Sequence, residues 1–247
     1  NRLFNCNGVP TFNGQFLRLS GSALAKGGKP FDFYPYQKDT IWRALANRCL
    51  LCFHEVGLGK TFVMGGLAME LIRMGGARKV ALFAANANAS RVAAAIQQAY
   101  PSARILCLAD EQGDERQNLL ARAATEDWDI VVFPHSMTTQ LSMSPETTQR
   151  LIRTQMDDLM QAILSEANQG RAEGDQFTED TIIAERKLRP TVKMMMQQWL
   201  RLRDRLEALS RRQARRGKQT FFDELGCDAL ICDEAHYFKK LPLVAGV

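Results

Sequence analysis

The sequence predicts an α/β fold, a parallel sheet flanked by helices and interrupted by a helical, coiled-coil hairpin insertion. Three observations carry that expectation. Short apolar runs, "KVALFAA" (79–85), "ARILCL" (103–108), "DIVVFP" (129–134) and "DALICDEAH" (228–236), alternate with segments of helical spacing, as strands buried on both faces do when helices connect them. An apolar pentapeptide, "CLLCF" (49–53), leads towards a glycine-rich turn, "GLGKT" (57–61), and a helix follows. Residues 145–218 then abandon the alternation for two long apolar seams.

Residues 1–33, rich in Asn, Gly and Ser, read as an irregular lead-in. In "YQKDTIWRALANR" (36–48), Ile41, Trp42 and Leu45 have helical spacing, and "CLLCF" reads as a short buried strand. Val63, Met64, Leu67, Leu71 and Ile72 then form one face of a helix that runs from about Lys60 until Gly75 and Gly76 stop it. Further helices are expected in "ASRVAAAIQQAY" (89–100) and "QNLLARAAT" (117–125). In the insertion Ile152, Met156, Leu159 and Ile163 repeat at 4-3-4 spacing, and Val192, Met195, Trp199, Leu202, Leu206 and Leu209 at 3-4-3-4-3. The polar "NQGRAEGDQFTED" (168–180) supplies a bend between the two helices, and Pro190 marks a kink or a fresh helix start. The expected organisation is a lead-in (1–33), a sheet domain (34–144 and 219–247) and a helical hairpin (145–218).

With 247 residues, 46% of them apolar, the chain is long enough for one α/β domain with an insertion. No stretch approaches ~18 consecutive apolar residues, and the first residues carry no signal pattern, so neither membrane insertion nor export is indicated and an intracellular setting is expected. Cys49 and Cys52 form a C-x-x-C without a second pair at zinc spacing, and they are expected as core cysteines. The net charge of +5 is unevenly spread. Residues 181–220 hold twelve Lys and Arg against three acids, a net of +9 that leaves −4 for the remainder. Such a face suits a polyanion, with Arg201, Arg205, Arg211, Arg212 and Arg215 as candidate phosphate contacts, or is a solvated helix surface.

Chemistry concentrates at two strand ends. The backbone of a tight turn, with Gly57, Leu58 and Gly59 ahead of a helix N-terminus, makes a concave anion site. Lys60 there supplies positive charge for the β- and γ-phosphates, and the Thr61 hydroxyl can ligate Mg²⁺. Asp233 and Glu234 end another strand. Beside a phosphate site the first carboxylate can hold Mg²⁺ and the second can orient the attacking water, which makes Lys60, Asp233 and Glu234 the catalytic candidates and ATP with Mg²⁺ the expected cofactors. His54 stands where the strict G-x-x-x-x-G-K-T pattern has glycine.

"GLGKT" followed by "DEAH", with "YPYQ" ahead of both, resembles the first RecA-like domain of superfamily 2 helicases on the Swi/Snf-like side. That resemblance implies a RecA-like sheet, an adenine-reading role for Gln37 and a coupling role for His236. It also implies strand-end segments facing nucleic acid, "ANANAS" (85–90) with Asn86 and Asn88 and "FPHSM" (133–137) with His135 and Ser136. A closer similarity, through "HEVGLGKTFVMGGLAMELIRMGGARK", "DWDIVVFPHSM", "MSPE" and "FDELGCDALICDEAHYFKKL", is to the methyltransferase-helicase proteins of phages, plasmids and bacterial modification or defence systems. It implies an ATP-dependent translocase or helicase acting on double-stranded DNA in the cytoplasm of a prokaryotic cell. A second RecA-like domain and an adenine methyltransferase are the implied partners, and the 247 residues alone are expected to hydrolyse ATP at close to background. The alternatives are a nucleotide-gated scaffolding module and an RNA helicase.

Overall fold

The computed structural model describes residues 12–22, 32–109, 113–139, 141–171, 175–185, 188–212 and 220–238. The chain forms two compact units, Asn1–Leu141 with Leu225–Val247, and Ser142–Glu224.

The first unit contains helices α1 (Pro35–Asn47), α2 (Lys60–Arg73), α3 (Ala89–Ala99) and α4 (Gly113–Thr125) and strands β1 (Val80–Ala84), β2 (Ile105–Cys107), β3 (Ile130–Pro134) and β4 (Ala229–Cys232). All pairings are parallel, in the order β2-β3-β1-β4, so the fold is the expected RecA-like α/β arrangement of a parallel sheet flanked by helices. Val80 lies opposite Ile130 and Ala229, and Phe83 opposite Phe133 and Cys232. β1 and β3 are buried along their whole length, as near-continuous apolar runs require. Met64, Ala68, Val92 and Ile96 close over Val80, Leu82, Ile130 and Val132 to make the main core.

Polar groups set where the strands begin. The Asp129 carboxylate accepts from the Arg104 amide and the Asp228 carboxylate from the Arg78 amide, each at 2.8 Å. Lys79 is buried, and its ammonium donates to the carbonyls of Ala123, Glu126 and Leu225, which gathers the end of α4 and the approach to β4 around the first residue before β1. The lead-in also enters the core. Leu17, Leu19 and Phe33 pack with Ile41, Val63 and Tyr100, a contribution that composition alone did not suggest.

One expectation is overturned. "CLLCF" forms no strand; residues 49–55 run without regular structure, with Leu51 64% and Phe53 85% exposed. Cys49 and Cys52 are therefore exposed cysteines, not core cysteines. An apolar segment becomes a strand only where it makes ladder hydrogen bonds, and this one pairs with no strand, although among the described residues the outer edge of β4 has no neighbour. Among the described residues no group of His, Cys, Asp and Glu could hold a metal by itself, and no helix is long and apolar enough to cross a membrane.

The second unit is helical: α5 (Pro145–Asn168), α6 (Glu179–Ala184) and α7 (Pro190–Arg212). Met160, Ile163, Ala167, Ile182, Val192 and Met196 form its core, with Leu159, Met195 and Trp199 partly buried against it. Pro190 is the first residue of α7, a fresh start where its missing N–H costs nothing. The expected bend contains the beginning of α6, and the fully buried Ile182 completes the core.

The start of α5 is pinned from the far end of the same unit. The Asp223 carboxylate accepts from the Ser144 amide, the Ser144 hydroxyl and the Thr147 hydroxyl. Desolvation opposes the charge there, but these hydrogen bonds outweigh it and bring the carboxyl down to about 2. With the folded value below the unfolded one, the contribution is present above ~pH 4 and is lost as pH falls towards the folded value. Because Asp223 is exposed, Asp223→Ala should cost only about 1 kcal/mol near neutral pH. Urea unfolding should show that cost shrinking between ~pH 4 and ~pH 2; an unchanged cost across that window would remove the carboxylate from the explanation.

Candidate active site

The phosphate-loop segment reaches its shape through two left-handed glycines, Gly57 (φ 90°) and Gly59 (φ 72°). Gly59 is the N-cap of α2, and its carbonyl accepts from the Phe62 and Val63 amides. The first amides of a helix point away from its own carbonyls and carry the positive end of its dipole, which makes the head of α2 the place for an anion. A side chain at Gly59 would meet Gln37 Nε2 at 2.6 Å, so glycine is needed there for space as well as for φ.

Three residues of α1 hold the loop from behind. Gln37 is only 3% exposed; its Oε1 accepts from the Tyr34 amide and its Nε2 donates to the Leu58 carbonyl, each at 3.0 Å. The Tyr36 hydroxyl donates to the same carbonyl at 3.2 Å. The His54 ring lies edge-on to Tyr36, and its Nε2 is 3.2 Å from the Thr40 hydroxyl. Lys60 folds back, donating from Nζ to the carbonyls of His54 (3.0 Å) and Glu55 (3.3 Å). Sequence reasoning missed this strap of Tyr36, Thr40 and His54; the histidine at an expected glycine position was its signal.

The carboxylates sit just past β4. The Asp233 amide donates to the Phe83 carbonyl at 2.8 Å, which extends the β1–β4 pairing, and Glu234 then turns the chain in the left-handed region (φ 51°). The Glu234 amide donates to Asp233 Oδ1, and Glu234 Oε2 is paired with His236 Nδ1 at 3.1 Å. Burial first, and the neighbouring Glu234 charge second, raise the Asp233 carboxyl above the ordinary aspartate range. The Glu234 amide and the positive charge of Lys60 pull it the other way, with a smaller contribution in the same direction from His135. Lys60, Asp233, Glu234 and His135 therefore share one electrostatic site at the carboxyl ends of the sheet, where open α/β sheets bind ligands.

This donor set fits Mg-ATP. A glycine turn at a helix N-terminus with an ammonium suits a phosphate chain, and a partly buried carboxylate whose charge is disfavoured by burial suits a hard cation, with the Thr61 hydroxyl at the head of α2 as a further oxygen ligand.

The remaining candidates are dispersed. The Asn86 side-chain oxygen accepts from the Ser136 amide at 2.9 Å, which joins the loops after β1 and β3, and Asn88 is the exposed N-cap of α3. Ser136 is exposed, whereas His135 is partly buried against Tyr237 and Phe238. In the helical unit Arg201 and Arg205 are exposed on α7, and Arg211 and Arg212 fall in its last turn. Arg215 lies outside the described residues.

No curated protein matches the sequence. A family model described as a probable helicase domain matches residues 42–245, a span that takes in the phosphate loop, the helical unit and the Asp233–Glu234 turn. Matched over most of its length, the chain belongs to that family of probable helicase domains.

Proposed function

We propose that the chain is the first motor domain of an ATP-dependent DNA translocase or helicase of superfamily 2, on the Swi/Snf-like side, in a larger DNA modification or defence protein. The reading is supported by a glycine turn and Lys60 at the head of α2, with Asp233 and Glu234 just past β4 and the Lys60 charge acting on Asp233, in a helicase-family domain. When bound, Mg-ATP supplies the phosphoryl group and the cation that neutralises its charge. The chain's own groups do the rest. The amides of the Gly57–Gly59 turn and the head of α2 hold the phosphates, and Lys60 leaves the His54 and Glu55 carbonyls to join them. Thr61 and Asp233 hold the cation, and Glu234, released from His236, orients water. Gln37 uses one N–H and one lone pair on the protein and keeps one of each for adenine. A second RecA-like domain and an adenine methyltransferase complete the assembly by the family resemblance.

The test is steady-state phosphate release by the intact protein with no nucleic acid, duplex DNA or duplex RNA. Stimulation by DNA is expected. Preference for RNA would make it an RNA helicase, and nucleotide binding without stimulation by either would favour a scaffolding module. DNA contacts by α7 predict a further result: reversing Arg201 and Arg205 to Glu should flatten the log–log salt dependence of DNA affinity by up to ~0.9 per lost contact. An unaltered slope would return this face to solvent.

A further inference from the structure

His135 directly follows β3, opening a short 3₁₀ helix, and packs beneath the turn that carries the carboxylates. The Phe83 and Phe133 rings stack across β1 and β3, with centroids 5.1 Å apart, and Phe238 meets Phe83 edge-on. Tyr237 and Phe238 meet the His135 ring edge-on at 5.2 and 5.1 Å. His236, the partner of Glu234, lies against Tyr237. The imidazole is thus packed under the short 3₁₀ turn Ala235–Phe238, immediately after Asp233 and Glu234. Both of its ring nitrogens are buried, and neither has a hydrogen-bond partner among the described residues. A phenylalanine would fill this apolar niche without that penalty, so packing alone does not account for a histidine.

Two neighbours indicate what the imidazole serves. Glu234 has a left-handed backbone and its carboxylate is held by His236, so its aim depends on the conformation of the turn, and the turn's own rings rest on His135. On the other side the backbone continues into Ser136, whose amide is held by Asn86 from the loop after β1.

We propose that His135 is a positioning residue of the nucleotide site: in the working conformation one ring nitrogen donates a hydrogen bond to the Asp233–Glu234 turn and fixes it relative to the Asn86–Ser136 loop pair. The electrostatic influence of His135 on the Asp233 carboxyl supports this placement. The proposal rests on the ATP reading of the site and adds to it a residue for which packing and chemistry demand different side chains.

The test uses His135→Phe and His135→Gln in the intact protein, read by thermal unfolding, nucleotide affinity and turnover. His135→Phe keeps the ring and deletes the unpartnered nitrogens, so its melting temperature should equal or exceed the wild type's. Nucleotide affinity should stay within about threefold while kcat falls by up to ~10²-fold, the scale of a misplaced reacting group. His135→Gln, which retains an N–H, should recover part of the lost kcat. Wild-type turnover by His135→Phe would overturn the proposal and leave packing as the role. So would parallel losses of stability and turnover in both variants. Lys60→Ala serves as the separate control. Unimpaired nucleotide binding by Lys60→Ala would refute the ATP reading itself, whatever the histidine variants do.

Discussion

Lys60→Ala is expected to weaken ATP binding by ~10- to 100-fold, the worth of a charge-assisted hydrogen bond to phosphate. Glu234→Gln in the intact protein is expected to bind ATP normally and turn it over ~10²- to 10⁴-fold more slowly, the range for a lost general base. The asymmetry follows from position. Lys60 stands at the head of α2 beside the phosphate turn, where its ammonium is held by two backbone carbonyls that a phosphate must outbid. Glu234 lies past the strand end, exposed and paired with His236, and in the proposed role its charge serves the water rather than the phosphates. Glutamine keeps its shape and hydrogen-bonding capacity but loses the base. It also removes the neighbouring charge that helps to raise the Asp233 carboxyl, so this proposed metal ligand should ionise more readily in the variant. Fluorescent-nucleotide titration together with single-turnover phosphate release separates the two steps. Equal loss of binding in both variants would show that the roles are wrongly divided.

Lys79→Met should destabilise the sheet unit by about 3 kcal/mol, which corresponds to a fall in Tm of roughly 6–12 °C for a unit of this size. The buried ammonium serves three carbonyls from two separate parts of the chain, at the end of α4 and at Leu225. Methionine fills much of the same space but leaves those acceptors without their donor, and unmet buried acceptors cost more than the hydrogen bonds gained. A change below ~1 kcal/mol by urea denaturation would show that water reaches the carbonyls. Nucleotide binding, measured below the melting transition, should remain intact because Lys79 lies at the amino ends of the strands, away from the loop.

The sheet was legible because its strands are short apolar runs with polar punctuation, and the boundaries of β1 and β3 fall where "KVALFAA" and "DIVVFP" suggest. The nucleotide-loop candidates were legible for a related reason: the "GLGKT" turn needs glycine at Gly57 and Gly59, so the motif records a backbone conformation as well as a chemistry. "CLLCF" misled because apolarity alone does not make a strand: the segment pairs with no neighbour and stays exposed. The strap of Tyr36, Thr40 and His54 was illegible because it joins residues whose spacing has no period, and the clamp of Lys79 because the Leu225 carbonyl comes from the far end of the chain. In the helical unit the seams were visible, but Ile182 was hidden in a segment whose polarity announced only a bend.

The pin at Asp223 has a consequence for how such chains can change over evolutionary time. Ser142 and Phe222 lie near where the chain enters and leaves the helical unit, and the Phe222 amide donates to the Ser142 carbonyl at 3.0 Å while Asp223 holds Ser144, the N-cap of α5. The excursion therefore closes on itself like a drawstring. Its two ends are held together by a handful of polar contacts that do not depend on what lies between them. Loop-closure entropy rises so slowly, by ~0.6 kcal/mol per doubling of length, that an excursion with a stitched neck can lengthen, shorten or exchange its cargo of helices at little thermodynamic penalty. Diversification in this lineage should accordingly accumulate beyond the neck, with Ser144, Thr147 and Asp223 as the stitch that permits it.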